Sequence, residues 1–267
     1  MIKIFNKLIF KKKEDKLKKL SVENVIKDFN CKTNLNLFFL IKKRFQWMQH
    51  YINKSDIGLE VGAGAGFSKI ILQSNKIYTS DFCKKKHLDY KMLDAQFTDF
   101  KNGSFDFIIA CNMLHHISYP VLFLKEMQRI LKKNGRLIIF EPNLSFFYQI
   151  ITLITKHEGF NFNVNIWDEK KPLNDPKDLW DSNQAISHLL FDNKNEFKKK
   201  MQNTFEIIYE DYCEFFLFIN SGGVYSKCKY IPLNIFNLKL LSCIDDILIK
   251  ICPKVFALGR KIVLKKK

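Results

Sequence analysis

Residues 58–66 read Gly58-Leu59-Glu60-Val61-Gly62-Ala63-Gly64-Ala65-Gly66, so four of the ten glycines fall within nine positions. The apolar run Ile57 to Val61 leads into this segment, and a helical pattern over Phe67 to Leu72 follows it. A strand that passes through glycines into a helix makes a tight loop whose backbone a ligand can approach, with helix-start N–H groups facing it. The spacing excludes two common phosphate cradles. Counted from Gly62, a dinucleotide loop G-x-G-x-x-G needs glycine where Phe67 stands, and a P-loop needs G-K-[ST], whereas the first lysine after these glycines is Lys69.

The residues that follow keep alternating between strand and helix patterns. Lys76 to Thr79, Lys91 to Leu93, Phe105 to Cys111 and Arg136 to Phe140 read as strands. Val121, Leu124, Met127, Gln128 and Leu131 share a helix face, and that helix is expected to stop at Lys133-Asn134-Gly135, with glycine in a left-handed cap. Strands alternating with helices predict a mostly parallel, doubly wound α/β sheet covered on both faces. Further expected elements are a helix over Leu37 to Tyr51, a helix over Asn195 to Gln202, a strand over Phe205 to Tyr209 and a final edge strand over Lys261 to Leu264. The chain divides into a basic and helical segment (1–54), a core (55–143), a partly helical insertion (144–204) and a closing part with the last strands (205–267).

The loop E-x-G-x-G-x-G at Glu60, Gly62, Gly64 and Gly66 resembles motif I of the class I S-adenosylmethionine-dependent methyltransferases. The cofactor carries a sulfonium, an ammonium and a carboxylate and has no pyrophosphate, so an acid beside the loop is chemically apt. Asp81, at the end of the second strand, suits ribose hydroxyls. The resemblance implies an adenine-reading role for Asp94 and the Ala95 backbone, with Phe82 packed on the adenine face. It extends to Asn112-Met113-Leu114-His115-His116 at the end of the next strand, which looks like motif IV of the small-molecule branch, and it covers about residues 55–143. The Asn112 carbonyl is expected to face the cofactor's ammonium. A Rossmann-like fold and S-adenosyl-L-methionine as cofactor are what the resemblance implies.

The expected reaction is methyl transfer to a small-molecule, sugar or lipid-linked glycan acceptor, a hydroxyl before an amine. A hydroxyl benefits from a base near neutral pH, so His116 is the first candidate and His115 the second, with Glu141 and His157 further off. Two adjacent residues of a strand point to opposite faces, so only one of the two histidines is expected to enter the site. Asp181-Ser182-Asn183-Gln184-Ala185 offers hydrogen-bonding groups to a polar acceptor, and similar stretches occur in methyltransferases of bacterial surface-polysaccharide loci. RNA is the runner-up acceptor, and a fold kept for binding after loss of turnover is the non-enzyme alternative. Against nucleic acid stands the charge distribution: of a net charge of +17, the 226 residues from 21 to 246 contribute only +4.

The basic excess therefore sits at the two ends. Met1 to Phe10, followed by Lys11-Lys12-Lys13, has the spacing of a basic amphipathic helix. Contact with an anionic membrane at the inner face and docking on the protein's own surface both explain it. The uncharged apolar stretch Pro142 to Thr155 has fourteen residues, short of the roughly 18–20 that span a bilayer. No signal peptide is read, and a cytoplasmic protein is expected. Seven cysteines without a C-x-x-C pair argue for reduced thiols, and no metal is expected.

Overall fold

A computed structural model describes residues 2–10, 18–19, 21–178, 180–224 and 226–267. Two short strands, β1 (Lys7–Leu8) and β2 (Lys18–Lys19), precede helices α1 (Val22–Cys31) and α2 (Leu35–Gln46), the second prolonged by a 3-10 turn over Trp47–Tyr51. The core alternates β3 (Ile57–Val61), α3 (Ser68–Ile71), β4 (Lys76–Asp81), β5 (Tyr90–Lys91), β6 (Phe105–Cys111), α4 (Pro120–Ile130) and β7 (Leu131–Pro142). Then come α5 (Phe146–Thr155), β8 (Phe160–Asn161), α6 (Ile186–Phe191), α7 (Lys194–Met201), β9 (Phe205–Cys213), α8 (Phe216–Ile219), β10 (Ser226–Lys227), α9 (Ile235–Ile251), α10 (Pro253–Phe256) and β11 (Gly259–Lys266).

The main sheet has seven strands in the order β5-β4-β3-β6-β7-β11-β9. The pairs β3–β4, β3–β6, β4–β5 and β6–β7 are parallel, and β11 runs antiparallel to both β7 and β9. Successive residues of β6 serve opposite faces. Phe107 and Ile109 join α1 and α2 residues such as Phe29 and Phe45, while Ile108 and Ala110 join Leu124 and Met127 of α4. That two-sided burial explains the unbroken apolar run, each such side chain contributing about 1.5–3 kcal/mol. Chain order leaves β3 outward in both directions, toward β4 on one side and β6 on the other. A crevice therefore opens at the carboxyl ends of β3 and β6.

Three expectations are corrected. Residues 2–10 form no helix; Lys7–Leu8 pairs antiparallel with Phe160–Asn161, and Gln149 on α5 bonds Ile2 and Ile4 through their backbone. The segment is held to the body by backbone hydrogen bonds, which a helix would have used internally; the Lys11-Lys12-Lys13 run lies outside the described residues. Next, β11 is interior, not an edge, with Ile262, Val263 and Leu264 buried between β7 and β9. Finally, α4 ends at Ile130 and the left-handed residue of the turn is Asn134 (φ 64°). Gly135 serves close approach instead, because a Cβ there would stand 2.9 Å from the Lys132 carbonyl oxygen and 3.0 Å from that of Asp106.

Candidate functional site

The glycine loop takes three left-handed conformations, at Gly62 (φ 64°), Gly64 (φ 55°) and Gly66 (φ 72°). Gly58 has a different task, since a Cβ on it would strike the Phe107 ring at 2.1 Å. The loop is anchored by Ala63 N–H to Ser80 O (2.8 Å) and Gly66 N–H to Ala63 O (2.8 Å). Below it, Glu60 is buried and accepts the Ser68 hydroxyl at 2.6 Å, which ties the strand end to the start of α3. Burial pushes its carboxyl up to about 8, against the hydrogen bonding from Ser68.

Asp81 reaches the same loop from β4. Its Oδ2 accepts Gly64 N–H (3.0 Å) and Lys85 Nζ (2.5 Å), and its Oδ1 accepts Cys83 N–H (2.8 Å). His87 Nε2 lies 2.9 Å from the Gly64 carbonyl oxygen, so Lys85 and His87 both stand over the loop. Phe82 is exposed next to Asp81, Ala95 is buried, and Asp94 Oδ1 accepts the Gln96 backbone N–H at 2.8 Å. Asn112 adopts a left-handed conformation (φ 52°), tolerable for asparagine, and donates its N–H to Phe140 O at 2.7 Å.

Sequence reasoning puts His115 and His116 on opposite faces of a strand. They sit instead on a 3-10 turn, Leu114–His116, where strand alternation does not apply, and both rings turn toward Glu158. His115 Nδ1 is 2.6 Å from Glu141 Oε2, and its Nε2 is 3.5 Å from Glu158 Oε2. Burial disfavours charge on this ring, yet Glu141 and Glu158 outweigh it and raise its pKa to about 10. His116 Nδ1 bonds the Asp181 carbonyl oxygen (3.1 Å), and its Nε2 stands 3.7 Å from Glu158 Oε1. Desolvation, then the neighbouring His115 charge, lowers its pKa. For Glu158 burial is outweighed by His115, His116 and His157, and the carboxyl is held well below its ordinary range.

Glu158 is the residue that sequence reasoning misses. It lies past α5 in a left-handed conformation (φ 47°), strain of about 1–3 kcal/mol for a side chain of this kind. Its only sequence signal is the neighbour His157, whose Nε2 lies 3.6 Å from Glu158 Oε1. The Asp181–Ala185 stretch supports this cluster from behind: Asn183 N–H donates to His115 O at 2.8 Å, and Gln184 Nε2 donates to Glu158. Asn174 Nδ2 also donates to His115 O, at 2.8 Å.

The loop and the cluster are neighbours, because a Cβ on Gly62 would stand 2.7 Å from Met113 Cβ, two residues before His115. Residues 59–139, which hold the loop, β4 to β6 and the histidine turn, match the family model of a methyltransferase domain. Over residues 59–139 the chain carries a methyltransferase domain. No curated protein matches the sequence closely enough to count as a relative. Among solved structures, the methyltransferase chain is similar to a SAM-dependent methyltransferase from Archaeoglobus fulgidus, with 14% identity, 85% of this chain and 93% of that one covered, and a TM-score of 0.47. It is also similar to the YcgJ protein of Bacillus subtilis (14% identity, 87% and 97% covered, TM-score 0.44). A third likeness is to geranyl diphosphate C-methyltransferase from Streptomyces coelicolor, solved with S-adenosyl-L-homocysteine (10% identity, 85% and 76% covered, TM-score 0.45). None of these likenesses bears on the acceptor of this methyltransferase. S-adenosylmethionine is its cofactor, and the loop fits it: three left-handed glycines leave bare backbone at the strand end, with the Asp81 carboxylate against Gly64.

Proposed function

We propose that this methyltransferase transfers a methyl group to a hydroxyl of a small polar acceptor, a sugar or a lipid-linked glycan. The observation that carries the reading is the contact of the Gly62 loop with the turn bearing His115 and His116. It sets buried His115 and half-buried His116 and Glu158 beside the cradle. Gly62, Gly64 and Gly66 give room for the cofactor, Asp81 takes its ribose hydroxyls once Lys85 yields, and Asp94 with Ala95 and Phe82 surrounds the adenine. Asn112 offers its carbonyl to the ammonium, and Glu60 holds the loop through Ser68. When bound, S-adenosylmethionine supplies an electrophilic methyl group on a sulfonium.

The acceptor hydroxyl is presented to His116, which desolvation and the His115 charge keep neutral and which draws off its proton as its oxygen attacks, while His115 and Glu158 orient it. The new C–O bond forms while the C–S bond breaks, and that electron pair stays on sulfur. Alignment of oxygen, methyl and sulfur by a rigid sheet end supplies the larger part of the acceleration, plausibly several kcal/mol. The test is transfer of labelled methyl groups into fractionated cell extract. Label in glycan or small polar material supports the reading, and label confined to RNA overturns it.

A peripheral contact with an anionic membrane belongs to the same reading, and α9 supports it where the N-terminal segment does not. Phe236, Leu240, Ile247 and Ile251 are exposed along one side of this helix, with Lys239 and Lys250 beside them. Lysines that flank an apolar stripe can reach lipid phosphates while their stems lie on hydrocarbon. Among the described residues, no helix is long and apolar enough to cross a membrane.

A further inference from the structure

We propose that His115, His116 and Glu158 form a binding site for a divalent first-row transition metal ion at the acceptor side of the cradle. The sequence gives no such expectation, because the two histidines are adjacent and their carboxylate partner stands 42 positions further along. The three side chains each offer one ligand atom, and these atoms all lie within 4.8 Å of one another.

The hydrogen bonds behind the rings define the tautomers. His115 Nδ1 faces a carboxylate oxygen of Glu141 at 2.6 Å, and His116 Nδ1 faces the backbone carbonyl oxygen of Asp181 at 3.1 Å. Both partners only accept, so each Nδ1 carries the hydrogen and each Nε2 would give its lone pair to a metal, on His115 in exchange for the proton that faces Glu158. A carboxylate or carbonyl behind a histidine is the arrangement that orients metal-binding imidazoles and raises their basicity. Glu141 is itself fixed, accepting the N–H groups of Met113 and Leu114 at 2.8 Å each.

The distances at the front leave room for an ion between the three side chains. His115 Nε2 to Glu158 Oε2 is 3.5 Å and His116 Nε2 to Glu158 Oε1 is 3.7 Å, both longer than ordinary N–H···O bonds of about 2.7–3.2 Å. Two ligands about 2.0–2.1 Å from a tetrahedral ion stand roughly 3.3–3.4 Å apart, so a small inward movement closes the set. Glu158 reaches this position only by holding a left-handed backbone, and Gln184 bonds its carboxylate from the side. Two imidazoles and one carboxylate suit zinc, manganese or iron(II) better than magnesium, which prefers an all-oxygen shell.

Three protein ligands leave positions open for the acceptor. The role of the ion rests on the methyl-transfer reading: the acceptor's hydroxyl oxygen would bind it directly, favouring acceptors with a chelating pair of oxygens. In that state Nε2 of His116 is a ligand, and the hydroxyl proton leaves to solvent. The ion site itself stands on the geometry alone.

The test uses the full chain, treated with a chelator and dialysed, then titrated with Co2+ and followed by its visible absorption, with Zn2+ as competitor. One equivalent is expected to bind. Glu158→Gln and His116→Ala are each expected to weaken binding about 100-fold or more, and Glu141→Gln, which alters only the group behind His115, about 10-fold. His50→Ala, on the distant 3-10 turn, is expected to bind like the unaltered chain. Thermal melting and S-adenosylhomocysteine affinity identify the variants that are folded, and His116→Gln stands in if His116→Ala is not. Absence of Co2+ bands at millimolar metal, or equal binding by the unaltered chain and folded Glu158→Gln, overturns the proposal. Loss of S-adenosylhomocysteine binding with Co2+ bands intact would remove the methyl-transfer reading and leave the ion site.

Discussion

His115 and Glu141 are joined by a 2.6 Å contact between Nδ1 and Oε2, both side chains being buried at the carboxyl end of neighbouring parallel strands. The other oxygen of Glu141 takes two backbone N–H groups of the turn that carries His115. One carboxylate therefore fixes both the backbone and the ring of the same residue.

Removal of that carboxylate leaves a buried imidazole and two buried N–H groups without their partner. Glu141→Ala is expected to cost about 3–5 kcal/mol of stability, read from chemical denaturation. Glu141→Gln keeps an acceptor oxygen and is expected to cost less than half as much. Equal losses for the two variants would mean that charge and not geometry dominates the contact.

Two glycines separate cofactor binding from folding. Gly62→Ala places a Cβ in a left-handed conformation and 2.7 Å from Met113 Cβ, so S-adenosylhomocysteine affinity is expected to fall at least tenfold. Gly58→Ala collides with the Phe107 ring at 2.1 Å within the sheet. It is expected to lower the melting temperature while the folded protein keeps its affinity. Calorimetry and thermal melting on both variants check the split.

How far the sequence reveals this outcome depends on the range of the interactions involved. Strand β6 and the glycine loop are local patterns, written in consecutive apolar residues and in the spacing of Gly62, Gly64 and Gly66, and both are found where they are expected. The pairing of β11 between β7 and β9 is set by partners over 45 positions away, and its short apolar run gives no sign of two neighbours. The N-terminal segment has helical spacing, yet its backbone bonds β8 and Gln149, contacts that no periodicity encodes. Glu158 belongs with these, since only the folded loop after α5 brings it to His115 and His116.

Lys85 occupies the Asp81 oxygen that the proposed ribose contact would use. Lys85→Met removes this competitor, and because the pair is partly exposed the gain is modest, about two- to fivefold in S-adenosylhomocysteine affinity. Asp81→Ala is expected to lose at least tenfold through its hydrogen bonds. A fall in affinity for Lys85→Met would show instead that the lysine contacts the cofactor.

Glu60 makes stability and cofactor binding depend on pH. Its carboxyl titrates at about 8 when folded, against an ordinary value of 4.5. Between those values the folded chain binds more protons than the unfolded one, so this group's contribution to stability is fully present below pH 4.5 and is lost as pH rises through about 8. The cationic cofactor favours the ionised form, so binding near pH 7 is expected to release a proton. Calorimetry in two buffers of different ionisation enthalpy measures that release, and Glu60→Gln is expected to abolish it.

The exposed stripe of α9 gives the last prediction. Phe236, Leu240, Ile247 and Ile251 lie on one side of a helix whose buried side, Leu238, Ser242, Asp245 and Ile249, is already packed. Apolar groups of this size in water favour transfer into an interface by about 25 cal/mol per Å2 of surface covered, and the lysines beside them add attraction to anionic lipid. The protein is expected to float with phosphatidylserine-containing vesicles and less with neutral ones. A Phe236→Ser, Leu240→Ser, Ile247→Ser variant is expected to stay in the dense fraction with its S-adenosylhomocysteine affinity unchanged. Flotation of that variant together with the vesicles would place the membrane contact elsewhere on the surface.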